Sequence, residues 1–326
     1  MKHVSILVPE TAIVEAVADP HYMFNAVNQF LTASGRAPLF NVQLVALNKE
    51  VKLVNRLFSV YPDKQLKDVK KTDLIFIPAI SGDIKQALLL NKELVPWIVD
   101  QYKNGAEVAS LCIGAFLLAS TGLLNGKKCS THWNAANEFR TMFPEVELVD
   151  GSIITEEHGI YSSGGANSYW SLLLYLVEKY TDRDTAILAS KFFAVDIDRD
   201  SQAAFMMFQG QKNHEDEDIL KVQDFIEVNY QDKITVDRLA DKFAMGRRNF
   251  ERRFKKATNN TVAEYIQRVK IEAAKRSFES SRKNINEVMF DVGYTDTKAF
   301  RTIFKKITGL TPIEYRNKYN KQAVVA

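Results

Sequence analysis

The stretch from Ile234 to Tyr315 reads as one small unit written twice. The first copy runs from Thr235 to Thr258 (TVDRLADKFAMGRRNFERRFKKAT), the second from Asn284 to Thr308 (NINEVMFDVGYTDTKAFRTIFKKIT). Val236, Leu239, Ala240 and Phe243 answer to Ile285, Val288, Met289 and Val292, and in each set the spacing i, i+3, i+4, i+7 marks one face of a helix. A short break follows, holding Gly246 in one copy and Gly293 in the other. A second helix then carries a Phe pair on its apolar side, Phe250 with Phe254 and Phe300 with Phe304. Its other side is basic: Arg247, Arg248, Arg252 and Arg253, then Lys298 and Arg301. A short apolar helix, a tight turn and a basic helix make the helix-turn-helix plan.

Between the copies, TVAEYIQRVKIEAAKRSFESS predicts a long helix. Thr261 with Glu264 is a capping box at its start, and Val262, Ile266, Val269, Ala273 and Phe278 carry its apolar stripe. Thr311, Pro312 and Glu314 start a last short helix, with Pro at the first helical position. Two such units on a connecting helix, ending in FKKITGLTPIEYR, resemble the DNA-binding domain of the AraC/XylS family of bacterial transcription regulators.

Charge agrees with that resemblance. Net charge over 326 residues is only +3, yet residues 219–326 hold 23 Lys+Arg against 13 Asp+Glu, leaving 20 against 27 for the remainder. A basic half beside an acidic one points to a polyanionic partner for the basic half. The 46% hydrophobic and 25% charged content is that of an ordinary globular chain. No apolar run approaches the ~18–20 residues of a membrane span, and two cysteines make no disulfide scaffold, so a cytoplasmic protein is expected.

The earlier part of the chain alternates strand and helix patterns. Apolar runs at Val4–Val8, Val42–Leu47, Leu74–Pro78 and Glu107–Leu111 predict strands. Helical patterns fall at His21–Ala33, Glu93–Asn104, Ile113–Ser120, Trp133–Phe143, Asn167–Tyr180 and Asp184–Phe193. Asp150-Gly151 between Val146–Val149 and Ile153–Thr155 signals a hairpin. The alternation predicts an α/β doubly wound, flavodoxin-like domain over 1–210, a polar linker over 211–218 and an all-α domain with two helix-turn-helix units over 219–326.

Within the first domain, a strand ending at Leu111 runs into Cys112 and then a helix opening Ile113, Gly114, Ala115. A thiol at a helix N-terminus is expected to have a lowered pKa, and the sharp turn is expected to aim it into a cleft beyond the strand ends. His132 and Glu15 are the candidate neighbours in that cleft. Cys112, Gly114, Ala115, Phe116, then Gly122, Leu123, Leu124, Gly126, then Thr131, His132, Trp133 resemble the PfpI-like, class I glutamine amidotransferase-like superfamily. The form matches the GlxA-like branch, in which that domain is fused to an AraC-type one. Two departures bear on chemistry. Peptidase members place a His after the Cys, where Ile113 stands here, and the family's Pro-Gly-Gly oxyanion turn is Pro78, Ala79, Ile80 here. The resemblance therefore implies a ligand-sensing domain without catalytic residues. A cysteine-dependent amidase or hydrolase using Cys112, or a thiol redox sensor, stand as alternatives.

The expected partners are double-stranded DNA, an unidentified small-molecule effector and a second copy of the chain, with no membrane and no cofactor. His3, His21, His158 and His214 have no metal-ligand spacing, and Cys129 reads as buried filler. Carried over from the family pattern, Arg247, Arg248, Asn249 and Arg252, with Thr297, Lys298 and Arg301, are the candidate base-reading residues. Lys255, Lys256, Lys305 and Lys306 are the candidate phosphate contacts. The first copy, richer in Arg, is expected to carry more of the specificity.

Overall fold

The computed structural model describes residues 1–53, 57–197, 201–212 and 214–320, in two compact units, Met1–Gln202 and Ala203–Ala326. The first unit follows the order β1 (Lys2–Leu7), α1 (Val14–Ala33), β2 (Phe40–Ala46), β3 (Val51–Leu53), β4 (Phe58–Val60), β5 (Lys64–Gln65), β6 (Leu74–Ile77), α2 (Ile84–Leu90) and α3 (Leu94–Lys103). It continues with β7 (Glu107–Ser110), α4 (Ala115–Ser120), β8 (Lys128–Cys129), α5 (Ala136–Met142), β9 (Glu147–Leu148), β10 (Ile154–Glu157), β11 (Ile160–Ser163), α6 (Tyr169–Tyr180) and α7 (Arg183–Phe193). The main sheet has the order β10-β11-β7-β6-β1-β2-β5 and is parallel except where β10 meets β11.

Strand alternation divides the core. Leu74 and Phe76 face a cluster built with α1, α6 and α7, while Ile75 and Ile77 face one built with α2 to α5. All four side chains are fully buried, as a sheet covered on both faces requires. From β1 the chain builds outward first through β2 to one side and later through β6 to the other, so β1 is the topological switch point of the doubly wound sheet.

Two sequence expectations are corrected here, and some elements the sequence did not signal appear. The hairpin lies not at Asp150-Gly151 but at His158-Gly159, which joins β10 to β11 with φ of 52° and 75°; β9 instead pairs with β8 in parallel. Positive φ at both central residues is what the right-handed twist of a two-residue hairpin demands. Helix α1 starts at Val14, well before His21, and carries the buried Pro20 inside it. The β3–β4 hairpin and the β8 strand are too short to leave a periodic signal.

The second unit is helical: α8 (Glu217–Val228), α9 (Val236–Lys242), α10 (Arg247–Thr258), α11 (Val262–Ser280), α12 (Ile285–Asp291), α13 (Thr297–Thr308) and α14 (Pro312–Tyr319). It has two cores. Ile219, Val222, Leu239, Phe250 and Phe254 belong to one, and Val288, Met289, Phe300, Phe304 and Tyr315 to the other. Helix α11 serves both, giving Val262, Ile266 and Val269 to the first and Ile271, Ala274 and Phe278 to the second.

The repeat is longer than the helix-turn-helix pair. Thr261 and Thr311 both head capping boxes, with Glu264 and Glu314, and each is followed by a buried tyrosine. The Tyr265 hydroxyl donates to Glu227 on α8 at 2.6 Å, and the Tyr315 hydroxyl donates to Glu279 on α11 at 2.5 Å. Helix α11 thus does for the second copy what α8 does for the first.

The stretch 211–218 is engaged with this unit. Lys212 pairs with Asp224 and Glu227, Asp216 caps α8, and Glu217 and Asp218 form its first turn; Asn213 lies outside the described residues. No helix among the described residues is long and apolar enough to cross a membrane.

Candidate nucleic-acid interface

Helices α10 and α13 present the same surface. Phe250, Phe254 and Thr258 are buried in one, Phe300, Phe304 and Thr308 in the other, and the residues between them are exposed in the same order. Each threonine hydroxyl donates to the carbonyl of the preceding Phe, at 2.8 Å in both, and so holds the last turn against its core. Every candidate base-reading side chain except the half-buried Thr297 is exposed, as are Lys255, Lys256, Lys305 and Lys306.

Their pairing separates them. Among the described residues, Arg248, Lys255, Lys256, Lys298, Arg301, Lys305 and Lys306 enter no ion pair. Arg252 donates to Asn249 Oδ1 at 3.0 Å, and Arg247 meets Asp237 at 2.8 Å on the open surface. Arg253, read from the sequence as part of the basic face, behaves differently. It is half-buried and grips Asp216 through two nitrogens, at 2.6 and 3.0 Å, and Asp218 at 3.0 Å. The guanidinium in turn holds the Asp216 carboxyl below the ordinary range. Arg253 therefore ties α10 to the start of α8 rather than facing a ligand.

The turn between the helices also differs from expectation. Gly246 has φ −63° and caps α10 without a side-chain bond, and the left-handed residue of the first copy is Ala244, φ 51°. In the second copy that place is held by Gly293.

In the first unit, Cys112 stands at the elbow after β7 with φ 54°. Its N–H donates to Ser163 Oγ at 3.3 Å and its carbonyl accepts from Thr131 Oγ1 at 3.1 Å. Gly114 lets the elbow close: a Cβ there would lie 2.5 Å from Pro78 O and 2.6 Å from Ile77 O. The residue is 4% exposed and packed into the core, and that burial pushes the thiol up to about 12, outweighing the hydrogen bond from the Ile113 backbone. The expected lowering is thus reversed: a single 3-10 turn, Cys112–Gly114, begins the helix, and desolvation dominates.

Cys112, His132 and Glu15 sit in different surroundings. His132 is half-buried, its Nδ1 accepts from Asn134 N–H at 3.1 Å, and burial lowers its pKa. Among the described residues no hydrogen bond joins Cys112, His132 and Glu15 to one another. Glu15 is exposed and lines a cavity of about 860 Å³ beyond the carboxyl ends of β1 and β6, together with Glu10, Thr11, Glu50, Lys52, Ser81 and Gly82. Neither Cys112 nor His132 lines it. Its rim is pinned: buried Asn91 accepts from Glu10 N–H and donates to Thr11 Oγ1, and Ser81 N–H donates to Thr11 O at 2.8 Å. No cluster of three or more metal-ligating side chains occurs among the described residues.

Comparison with known proteins gives two family matches: a helix-turn-helix domain over residues 239–318 and the DJ-1/PfpI family over residues 24–179. The chain is similar to the HTH-type transcriptional regulator GbdR of Pseudomonas aeruginosa, at 22% identity over 79% of this chain and 69% of that one. It is likewise similar to the regulator CdhR of the same organism, at 22% identity over 86% of this chain and 82% of that one. The solved structure of an AraC family transcriptional regulator from Pseudomonas putida shares its fold over 59% of this chain and 100% of that one, with a TM-score of 0.50 and 18% identity.

Proposed function

We propose, from the premise that this chain is a DNA-binding transcription regulator of the AraC type with a DJ-1/PfpI-like N-terminal domain, that α10 and α13 enter successive major grooves on one face of duplex DNA. The observation that carries this reading is the matched surface of the two helices, alike in burial and lined with exposed cations, most of which enter no ion pair among the described residues. Arg247, Arg248, Asn249 and Arg252 meet base edges in one groove, and Thr297, Lys298 and Arg301 in the next, ~34 Å along the axis. Lys255, Lys256, Lys305 and Lys306, a turn further along, neutralise phosphates.

The first unit acts as a sensor and a dimerisation domain, not as a catalyst. A nucleophile needs an ionised thiol, a base in reach and free donors for an oxyanion. Here the thiol is sealed in the core, His132 spends Nδ1 on its own helix cap, and the Ser81 N–H is committed to Thr11. The effector site is the cavity at the switch point, where open α/β sheets bind ligands. An effector bound there regulates only through a difference in affinity between two arrangements of the chain. Pairing of two chains brings two such DNA-binding domains to one operator and raises effective concentration.

Selection of duplexes from a random-sequence pool by the full chain, followed by titration at two salt concentrations, tests the reading. One enriched sequence and a steep loss of affinity with salt are expected, because phosphate contacts release counterions. Binding indifferent to salt, or no enrichment, overturns it.

A further inference from the structure

We infer that Lys270 is a positioning residue for DNA reading, the pin that holds the two helix-turn-helix units at one fixed separation and angle. The inference rests on the two-groove reading above.

Lys270 lies inside α11, on the line of Ile266 and Ala274, where the helix passes from one core to the other. An apolar residue would fit that line, yet an ammonium occupies it with 7% of the residue exposed. Its three donors all find backbone carbonyls. Nζ donates to Val292 O at 3.0 Å and Gly293 O at 3.3 Å, at the turn between α12 and α13. It also donates to Asp232 O at 3.4 Å, in the loop between α8 and α9. One side chain thus bonds the first helix-turn-helix copy and the second from the helix that joins them. The bonds to Val292 and Gly293 also place a cation at the negative end of α12.

The surroundings make the same joint. Gly293 has φ 73°, and a Cβ there would lie 2.2 Å from Gln231 O and 2.6 Å from Lys270 Nζ, so the two helix-turn-helix copies meet backbone to backbone. Tyr230, in the same loop, packs against both cores. Lys270 Nζ also sits 5.6 Å from the centre of the Tyr294 ring. Away from this joint, among the described residues, the core side chains of the two cores meet on α11. A buried charge held chiefly by carbonyl dipoles is costly to desolvate and contributes little net stability, but it admits only one geometry. For a protein that reads two grooves, that geometry fixes the operator spacing.

The test uses the full chain and a duplex selected from a random pool by the wild type, with versions that add or remove one base pair between the two contacted segments. Wild type is expected to lose affinity for the altered spacings. Lys270→Met, which keeps the length of the stem and removes the donors, is expected to bind the original duplex about tenfold more weakly, part of the avidity that rigid two-site binding supplies. It is also expected to lose most of the difference between spacings. Lys270→Arg, which keeps charge and donors, retains the spacing preference better than Lys270→Met. Gly293→Ala, which forces the joint apart from the other side, narrows the preference as Lys270→Met does. An unchanged spacing penalty in folded Lys270→Met overturns the inference and leaves the two-groove reading standing; no spacing penalty in wild type overturns the two-groove reading itself. If Lys270→Met and Gly293→Ala both lose the cooperative melt of the second unit, the pair is a stability element and the positioning role is rejected.

Discussion

Ala244 and Gly293 occupy the same place in the two copies and share a left-handed backbone, with φ of 51° and 73°. Each follows the C-cap residue of its first helix, Phe243 or Val292, and the next N–H, of Met245 or Tyr294, returns to the carbonyl of Ala240 or Met289. Glycine adopts this conformation without penalty, whereas alanine is strained there by ~1–2 kcal/mol. Ala244 is exposed and loses no packing on truncation. Ala244→Gly is therefore expected to stabilise the protein by about 0.5–1 kcal/mol, after the added freedom of the unfolded chain is subtracted. Urea unfolding of the second unit checks it; a midpoint that falls shows that the turn carries no such strain.

Arg252 and Arg253 are adjacent in sequence, but Arg252 is exposed while Arg253 is bound to Asp216 and Asp218. Arg252→Ala is expected to relax base preference at one position by ~1–3 kcal/mol and leave the melting temperature unchanged. Arg253→Ala is expected to cost about 1 kcal/mol of stability, because it frees Asp216 and the start of α8, while the selected sequence stays the same. Selection from a random pool and thermal melts on both variants separate the two roles. A changed consensus with Arg253→Ala would return that residue to the reading face.

Asp182 caps α7, accepting from the Thr185 N–H and hydroxyl, and meets Arg36 at 2.6 Å. The Thr185 backbone bond, the Thr185 hydroxyl and then Arg36 lower its carboxyl to about 2. A folded pKa below the unfolded value of ~3.9 stabilises above that value and is lost as pH falls through the folded one. Its side chain is 42% exposed, so solvent screens the effect to roughly 0.5 kcal/mol. Asp182→Asn keeps the cap and removes the charge. Wild type should exceed the variant in urea midpoint near neutrality, and the gap should narrow as pH falls from about 4 toward about 2. A gap that is constant with pH rules out the ionised cap as its source.

What was legible in the sequence was what repeats or recurs with a period. The helix-turn-helix pairs, the capping box at Thr261 and the doubly wound sheet all rest on local pattern, and each stands where that pattern put it. Features that depend on a distant partner were not. Asp150-Gly151 and His158-Gly159 are both turn-forming pairs, and only strand pairing decides which one closes a hairpin. Arg253 looks like its basic neighbours until Asp216 is set beside it. Lys270 looks like a solvated lysine until three carbonyls converge on it. The recurrence of Thr-x-x-Glu-Tyr at Thr261 and Thr311 was readable and would have revealed the longer repeat.

Cys112 carries the sharpest reversal, and its chemistry decides between a sensor and an enzyme. The elbow position argues for a thiolate, because a helix N-terminus stabilises negative charge. Burial argues against it, and burial prevails, pushing the thiol up to about 12; Cys129, likewise buried, is pushed to about 12 as well. A thiol whose folded pKa exceeds its unfolded value of ~8.5 favours the native state below that value, and the advantage is lost as pH rises toward the folded one. Two outcomes are expected. Iodoacetamide should label neither cysteine in the native protein at neutral pH, and both once urea unfolds it. Stability should also fall as pH climbs above about 8.5, less steeply in Cys112→Ala, which removes one of the two buried thiols. The substitution keeps a Cβ at φ 54°, so backbone strain is the same in both proteins. Rapid native labelling of Cys112 at neutral pH, abolished in Cys112→Ala, would show an open and ionised thiol. The first unit would then have to be treated as a thiol enzyme or redox sensor. Protection until unfolding leaves Cys112 as the packed elbow of its domain.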